Sequence, residues 1–155
     1  MIEERLEELG IELPPAVAPV ASYVPVRTAG SLAFVAGQIP VKDGSVVLTG
    51  AVDADVTLEQ AQGAGRRCAL QALGSLREAL GSLDRVVGIA QLTVFVASSP
   101  GFTQQPAVAN GASDVLVEIF GEQGRHARAA VGVAELPLGA TVEVVVTAVI
   151  GDASS

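Results

Sequence analysis

The chain of 155 residues is acidic and apolar, with a formal net charge of −8 and hydrophobic residues making up 50% of the sequence. This length suits one domain with its own core, which must be built mainly from Val, Ala and Leu because aromatic residues amount to only 3%. A nucleic-acid surface needs clustered cations, whereas this chain has a single lysine, Lys42, and scattered arginines. The composition therefore disfavours binding to RNA or DNA.

Membrane insertion and export are also disfavoured by the sequence. No apolar run reaches the roughly 18 residues that a membrane helix needs. The acidic start, Met1-Ile2-Glu3-Glu4, is the opposite of a secretory signal. Cys68 is the only cysteine, so an intramolecular disulfide cannot form. We expect a cytoplasmic protein with no membrane contact.

Residues 1–22 are predicted to form a short helix and a Pro-rich arm. Ile2, Leu6 and Leu9 have helical spacing, and Gly10 is suited to the position after a helix C-terminus. The prolines that follow remove backbone donors and fix φ, which favours an extended segment. Tyr23, the only Tyr, follows this arm and is expected to pack with its hydroxyl at a rim.

The middle of the chain predicts short strands and then a long helix. Residues 24–28 and 32–36 flank a Gly30 turn, and an Asp-Gly pair marks a second turn. A long helix opens near residues 53–55, where Thr57 and Gln60 fit a capping box. Small residues on its apolar stripe would permit close approach to a sheet, and Cys68 on that stripe is interpreted as a core residue.

The second half alternates between strands and helices. Residues 86–97 predict a strand, 108–120 a second helix, and two apolar strands follow, the second of them over 141–150. The strands are apolar on both faces and need cover on both. We predict an α+β domain spanning 1–155, in which two helices cover one face of a sheet and subunit contacts cover the other. Residues 151–155 are predicted to be a frayed tail.

Arg128 and Glu143 are the strong charges of the two final strands, and we expect them to form a site. The guanidinium of Arg128 has small neighbours and no nearby acid, which suits bidentate capture of a ligand carboxylate. Glu143 lies on the less apolar face of its strand and could orient or deprotonate a water. A surface Arg and a solvated Glu at strand ends remain the alternatives. His126, the only His, is interpreted as a solvated loop residue, and no metal site is expected.

Four blocks of sequence resemble the Rid/YjgF family of reactive-intermediate deaminases. They are Gly-Ser-Leu-Ala-Phe-Val-Ala-Gly-Gln-Ile-Pro at 30–40, Val-Phe-Val at 94–96, Ala-Arg-Ala-Ala-Val at 127–131 followed by Leu136-Pro137, and Val-Glu-Val at 142–144. The N-terminal helix and arm resemble the longer-chain branch of that family. The resemblance implies a chorismate-mutase-like (bacillus-type) α+β fold, with one mixed sheet, two helices on one face and a short N-terminal helix. It also implies a homotrimer with sites at subunit interfaces.

The same resemblance implies cofactor-free hydrolysis of 2-imino and enamine acids to 2-keto acids and ammonia. Arg128 would grip the substrate carboxylate, Glu143 would position the attacking water, and the backbone at Ala130 would contact the imine nitrogen or the water. The remaining implied site residues are Tyr23, at the entrance and reached from another subunit, Ala36 and Gly37 in the first block, and Asn110 or Asp114 in place of the family Asn. The chain departs from the family at Ala130, often Cys or polar, and at Ala36, often Ser.

Two other classes of function are open at this point. A non-catalytic trimer could bind small carboxylate metabolites with the same Arg128. A nuclease is a third possibility, against which the acidic balance argues.

Overall fold

The computed structural model describes residues 1–19 and 21–152. In chain order these residues form α1 Ile2–Leu9, β1 Val26–Ala29, β2 Leu32–Val35, β3 Val41–Lys42, β4 Ser45–Val46, α2 Leu58–Leu80, β5 Val86–Ala97, α3 Gln105–Phe120, β6 Ala127–Val133 and β7 Val142–Ile150. Short 3-10 turns stand at Leu83–Arg85, Gly121–Gly124 and Pro137–Gly139.

Five of the strands form one mixed sheet in the order β1-β2-β7-β5-β6. All neighbours are antiparallel except β5 and β6, which run parallel with α3 as the connection between them. The strands β3 and β4 form a separate small hairpin. The predicted fold class is confirmed, but β6 and β7, although consecutive in the chain, are separated in space by β5.

Helices α2 and α3 cover one face of this sheet. Leu92, Val94 and Val96 of β5 point into the core with Val144 and Val146 of β7, and all five are fully buried. The alternate residues of β7 on the opposite face are only half-buried. Phe34, Val87 and Val131 are exposed by 45%, 47% and 42%. The single chain therefore covers one apolar face and leaves the other open.

Helix α2 begins where its capping box predicts. Thr57 Oγ1 accepts from the Gln60 backbone N–H at 3.1 Å, and Gln60 Oε1 accepts from the Thr57 N–H at 2.9 Å. The first helical residue is thus Leu58, a few residues later than the predicted opening near 53–55. Helix α3 starts at Gln105, three residues before the predicted 108, because Pro106 is compatible with a first helical turn.

Two glycines of α2 pack against elements other than the sheet. A side chain on Gly65 would lie 3.5 Å from the Val108 carbonyl oxygen of α3, and one on Gly74 would lie 2.5 Å from the Pro14 carbonyl oxygen of the arm. The glycines instead let α3 and the N-terminal arm pack against the helix. Cys68 is fully buried, which confirms its interpretation as a core residue.

The N-terminal segment is docked rather than free. Helix α1 ends at Leu9, with Gly10 in the left-handed conformation at φ 66°. The carboxylate of Glu3 accepts from Arg77 Nε at 3.1 Å and from Arg77 Nη2 at 2.6 Å, and it also accepts from the Leu83 backbone N–H at 2.9 Å. The arm that follows has no regular structure over residues 11–19.

Parts of the predicted arm and tail lie outside the described residues, namely Val20 and residues 153–155. The backbone N–H of Gly151 still donates to the Arg85 carbonyl at 2.8 Å. No helix in the described part of the chain is both long enough and apolar enough to cross a membrane.

Candidate functional site

Arg128 lies on edge strand β6, directly beside Leu92 of β5 and therefore on the helix-facing side of the sheet. Its Nη1 donates to Asn110 Oδ1 at 2.8 Å and to Ser113 Oγ at 3.1 Å, both on α3. The side chain is exposed, and no carboxylate of the described residues forms an ion pair with it. Two neutral groups thus hold the cation, and its charge is left uncompensated.

The sequence predicts that His126 is a solvated loop residue, and this prediction is wrong. Its Nε2 lies 2.9 Å from Ser113 Oγ and its Nδ1 lies 2.7 Å from the Gly124 carbonyl oxygen, so both ring nitrogens have partners and the ring is half-buried. The contact between Ser113 and His126 forms because α3 packs against β6, and the positions of the two residues in the sequence do not reveal it. The only signal in the sequence is the three-residue spacing of Asn110 and Ser113, which places both on one face of a helix.

The two other predicted residues near this cluster are placed differently. Ala130 lies beside Val94, on the same side of β6 as Arg128, and is half-buried. Asp114 is exposed and makes no hydrogen bond to Arg128. Of the two predicted candidates on this helix, only Asn110 contacts the arginine.

Glu143 belongs to a second cluster on the other face of the sheet. It lies on β7 opposite Phe95, between the buried Val142 and Val144. A side chain on Gly37 would collide with Glu143 Oε2, so the carboxylate rests against bare backbone. Desolvation by partial burial raises the pKa of Glu143. Within residues 1–19 and 21–152 its carboxylate has no hydrogen bond or ion pair, an unusual state for a half-buried charge.

Buried amides hold the backbone at Ala36 and Gly37 in place. Gln38 exchanges backbone hydrogen bonds with Val144 at 2.8 and 2.9 Å, and its side-chain amide donates to the Ala36 carbonyl at 2.9 Å. Gln71 of α2 is only 1% exposed and donates to the Ile39 carbonyl at 2.8 Å. The hydrogen bond from Gln71 to this loop could not be predicted from the sequence, because the position of Gln71 on an apolar helix stripe does not indicate its partner.

The backbone that follows Tyr23 passes near this second cluster. The side chain of Tyr23 is 50% exposed. Two residues later the Pro25 carbonyl accepts from the Ala36 N–H at 2.9 Å, so the backbone after Tyr23 runs alongside Ala36.

The expected single site from Arg128 and Glu143 is therefore not formed within one chain. Strand β5 lies between their two strands, and the side chains point to opposite faces of the sheet. The chain instead carries two separate side-chain clusters. We call Arg128, Asn110, Ser113, His126 and Ala130 the arginine half-site, and Glu143, Gly37 and Ala36 the carboxylate half-site. In the described part of the chain, no three His, Cys, Asp or Glu side chains are grouped so that they could hold a metal ion.

Comparison with known proteins identifies the family. Residues 3–150 match the family described as "YjgF/chorismate mutase-like, putative endoribonuclease". The chain is 50% identical over 144 residues to protein TCP17 of Trypanosoma cruzi, covering 92% of this chain and 90% of that one.

Solved structures agree with this match. The crystal structure of Atu1372, a protein of unknown function from Agrobacterium tumefaciens, is 44% identical with a TM-score of 0.88, covering 97% of this chain and 92% of the other. A "putative endoribonuclease" from Shewanella oneidensis is 33% identical with a TM-score of 0.91, covering 97% of this chain and 99% of the other. With the family match over almost its whole length and the mixed sheet under two helices, the chain belongs to the YjgF/chorismate mutase-like family.

Proposed function

We propose that this protein is a cofactor-free hydrolase that converts reactive 2-imino or enamine acids into 2-keto acids and ammonia, in sites formed between subunits of a homotrimer. The observation that carries the proposal is the pair of unpaired charges. Arg128 has no acid partner, Glu143 has no partner at all among the described residues, and they stand on opposite faces of one sheet.

An interface between copies is the arrangement that would bring the two half-sites together. Arg128 projects from edge strand β6, which has a free side, while Glu143 lies on the open apolar face. If the β6 edge of one subunit met the open face of the next, each contact would join one arginine half-site to one carboxylate half-site. Such head-to-tail contacts are heterologous, and they form a ring when the rotation between neighbouring copies closes. The number three comes from the resemblance to the Rid/YjgF family.

The chemistry that these groups support is addition of water to a C=N bond. Arg128 would bind the substrate carboxylate through charge-assisted hydrogen bonds. Glu143 would accept a proton from water as the oxygen attacks the imine carbon, and ammonia would leave from the resulting carbinolamine to give the keto acid. Partial burial raises the pKa of Glu143, which makes its carboxylate a better base than a solvated one. Holding both reactants in place would supply much of the acceleration.

The test uses 2-iminopropionate generated in situ by an amino-acid oxidase, with semicarbazide trapping the imine that remains. We expect wild type to reduce the trapped imine and Arg128→Ala to lose about 100-fold or more in kcat/KM, because a charged anchor is removed. Glu143→Gln should lose roughly 100- to 10,000-fold, the usual range for an acid-base group. Arg125→Ala is the matched control, since this nearby arginine is exposed and, among residues 1–19 and 21–152, forms an ion pair only with Glu122. Imine decay that is equal with and without wild-type protein would contradict the proposal.

A second candidate, a trimer that binds small carboxylates without turnover, is favoured by the alanines at 36 and 130. Neither offers a polar side chain, so proton transfer would depend on Glu143 alone. A binder would hold pyruvate through Arg128 and leave imine decay unchanged.

The family description also names endoribonuclease activity, which incubation of RNA with the same protein preparation tests. The acidic net charge predicts that the RNA is not cleaved.

A further inference from the structure

We propose that His126 and Ser113 form a directed hydrogen-bond chain that fixes which edge of the Arg128 guanidinium is presented to a ligand carboxylate. This inference rests on the proposed function, because it concerns the same arginine anchor. It adds two positioning residues to that anchor and specifies the geometry in which the carboxylate is held.

The direction of the chain follows from the Gly124 carbonyl. A carbonyl oxygen can only accept, so the His126 Nδ1 that lies 2.7 Å from it must carry the hydrogen. In the neutral imidazole Nε2 is then an acceptor. Ser113 Oγ, 2.9 Å away, must donate its single hydrogen to Nε2. The lone pairs of the hydroxyl are thereby left to accept from Arg128.

Both hydrogens of Arg128 Nη1 are consequently used. One goes to Asn110 Oδ1 at 2.8 Å and the other to Ser113 Oγ at 3.1 Å. The remaining N–H groups are on Nε and Nη2, which have no hydrogen-bond partner among the described residues. These two nitrogens present parallel N–H bonds along one edge of the guanidinium, which is the side-on geometry for a bidentate carboxylate.

The hydrogen-bond chain also explains why a serine hydroxyl can serve as a fixed acceptor for Arg128. A free hydroxyl rotates and can turn its hydrogen toward the arginine, where it would repel the guanidinium N–H. With its hydrogen committed to His126, Ser113 can only accept from Arg128. Likewise, Asn110 must turn Oδ1 toward Arg128, so its amide NH₂ is directed elsewhere and can donate to a second acceptor of the ligand.

The test measures affinity separately from turnover, with pyruvate as the binding probe in calorimetry and 2-iminopropionate as the substrate. Ser113→Ala and His126→Leu should each raise the pyruvate Kd and the KM by about 5- to 30-fold while kcat changes by less than about two-fold, because they loosen the anchor without touching the reacting atoms. The double variant should be no worse than either single variant, as expected for members of one chain. His126→Gln should restore much of the affinity, since Gln Oε1 can accept from Ser113. Val117→Ala, on the exposed side of α3, is the control.

Nitrogen-15 NMR of the free protein tests the chain without any ligand. We expect His126 to be in the Nδ1–H tautomer and the two Arg128 Nη1 hydrogens to exchange with water more slowly than the unpartnered Nε hydrogen, and His126→Leu to speed the Nη1 exchange. An Nε2–H tautomer, or unchanged Nη1 exchange in His126→Leu, would overturn the inference. If wild type failed to bind pyruvate or hydrolyse the imine while these signals matched expectation, the proposed function would fall and the directed chain would stand.

Discussion

The residue on which the carboxylate half-site depends most directly is Gly37. Its backbone passes so close to Glu143 Oε2 that a methyl group at this position would displace the carboxylate. We therefore predict that Gly37→Ala retains the fold but lowers kcat by about 10-fold or more, because a small displacement of a catalytic group is costly. The expected loss is measured by the imine-trapping assay, with circular dichroism to verify folding.

A compensating change separates crowding from other effects of Gly37→Ala. Glu143→Asp shortens the side chain and should relieve the collision, so the double variant should be more stable than Gly37→Ala alone, with a coupling of about 0.5–3 kcal/mol. Additive effects on the free energy of unfolding would mean that the close contact does not govern this site.

Glu143 also predicts a pH dependence of stability. Its pKa is raised by desolvation, so the folded chain holds the proton more tightly than the unfolded chain. Stability conferred by this position therefore falls as pH rises through the ordinary carboxyl range, and the cost is fully present above the folded pKa. Glu143→Gln should raise Tm at pH 7, and the gain should vanish near pH 3.5, below the ordinary Glu value of about 4.3. A gain of equal size at both pH values would show that ionisation is not its cause.

The two charges could be predicted from the sequence at the residue scale, whereas the groups that contact them could not. Arg128 and Glu143 were conspicuous because they interrupt apolar strands. Ser113, His126 and Gln71 act through contacts between elements distant in the chain, and nothing in their local pattern distinguishes them from surface or core residues.

At the scale of elements, a partly buried ion pair adds to the docking of α1, whose Leu6 is buried in the core. The Arg77 guanidinium that donates to Glu3 holds the pKa of this carboxyl below its usual range. The resulting stability is present above the unfolded pKa and is lost as pH falls through the folded pKa. We predict that Glu3→Gln lowers stability at pH 7 by about 0.5–1 kcal/mol, or roughly 1–4 °C in Tm, and that the difference from wild type disappears as pH falls below the folded pKa. Thermal unfolding across the acidic range tests it.

The control for this prediction is Glu7→Gln, on the exposed side of the same helix. It should shift Tm by less than about 1 °C at every pH, as surface substitutions usually do. An equal effect of the two substitutions would indicate that helix charge, rather than the pair with Arg77, accounts for the change.

Element identity and order were predictable from sequence, whereas their arrangement was not. Period-2 and helical patterns and the Thr57 capping box located the strands and helices to within a few residues. Strand order depends on pairing between distant segments, and the apolar runs of β5, β6 and β7 are too alike to reveal that β5 lies between the other two. That insertion separates Arg128 from Glu143 within one chain.

At the scale of the whole molecule, a neighbouring subunit would both cover the open sheet face and complete the two half-sites. Phe34 and Val131 are large apolar residues on or beside this face, and a neighbouring subunit would bury them. The apolar composition of the strands on both faces is consistent with such cover. The proposed trimer would in this way join Arg128 of one copy to Glu143 of the next.

The measurement that tests this account most directly is complementation between two inactive variants, Arg128→Ala and Glu143→Gln, co-expressed and compared with each variant alone. In sites shared between subunits, random mixing leaves both native groups in about one site in four, so the mixed oligomers should recover about a quarter of wild-type activity. In sites formed within one chain, every site of the mixture carries a substitution. An active wild type whose mixed variants stay as inactive as the separate ones would contradict the shared site.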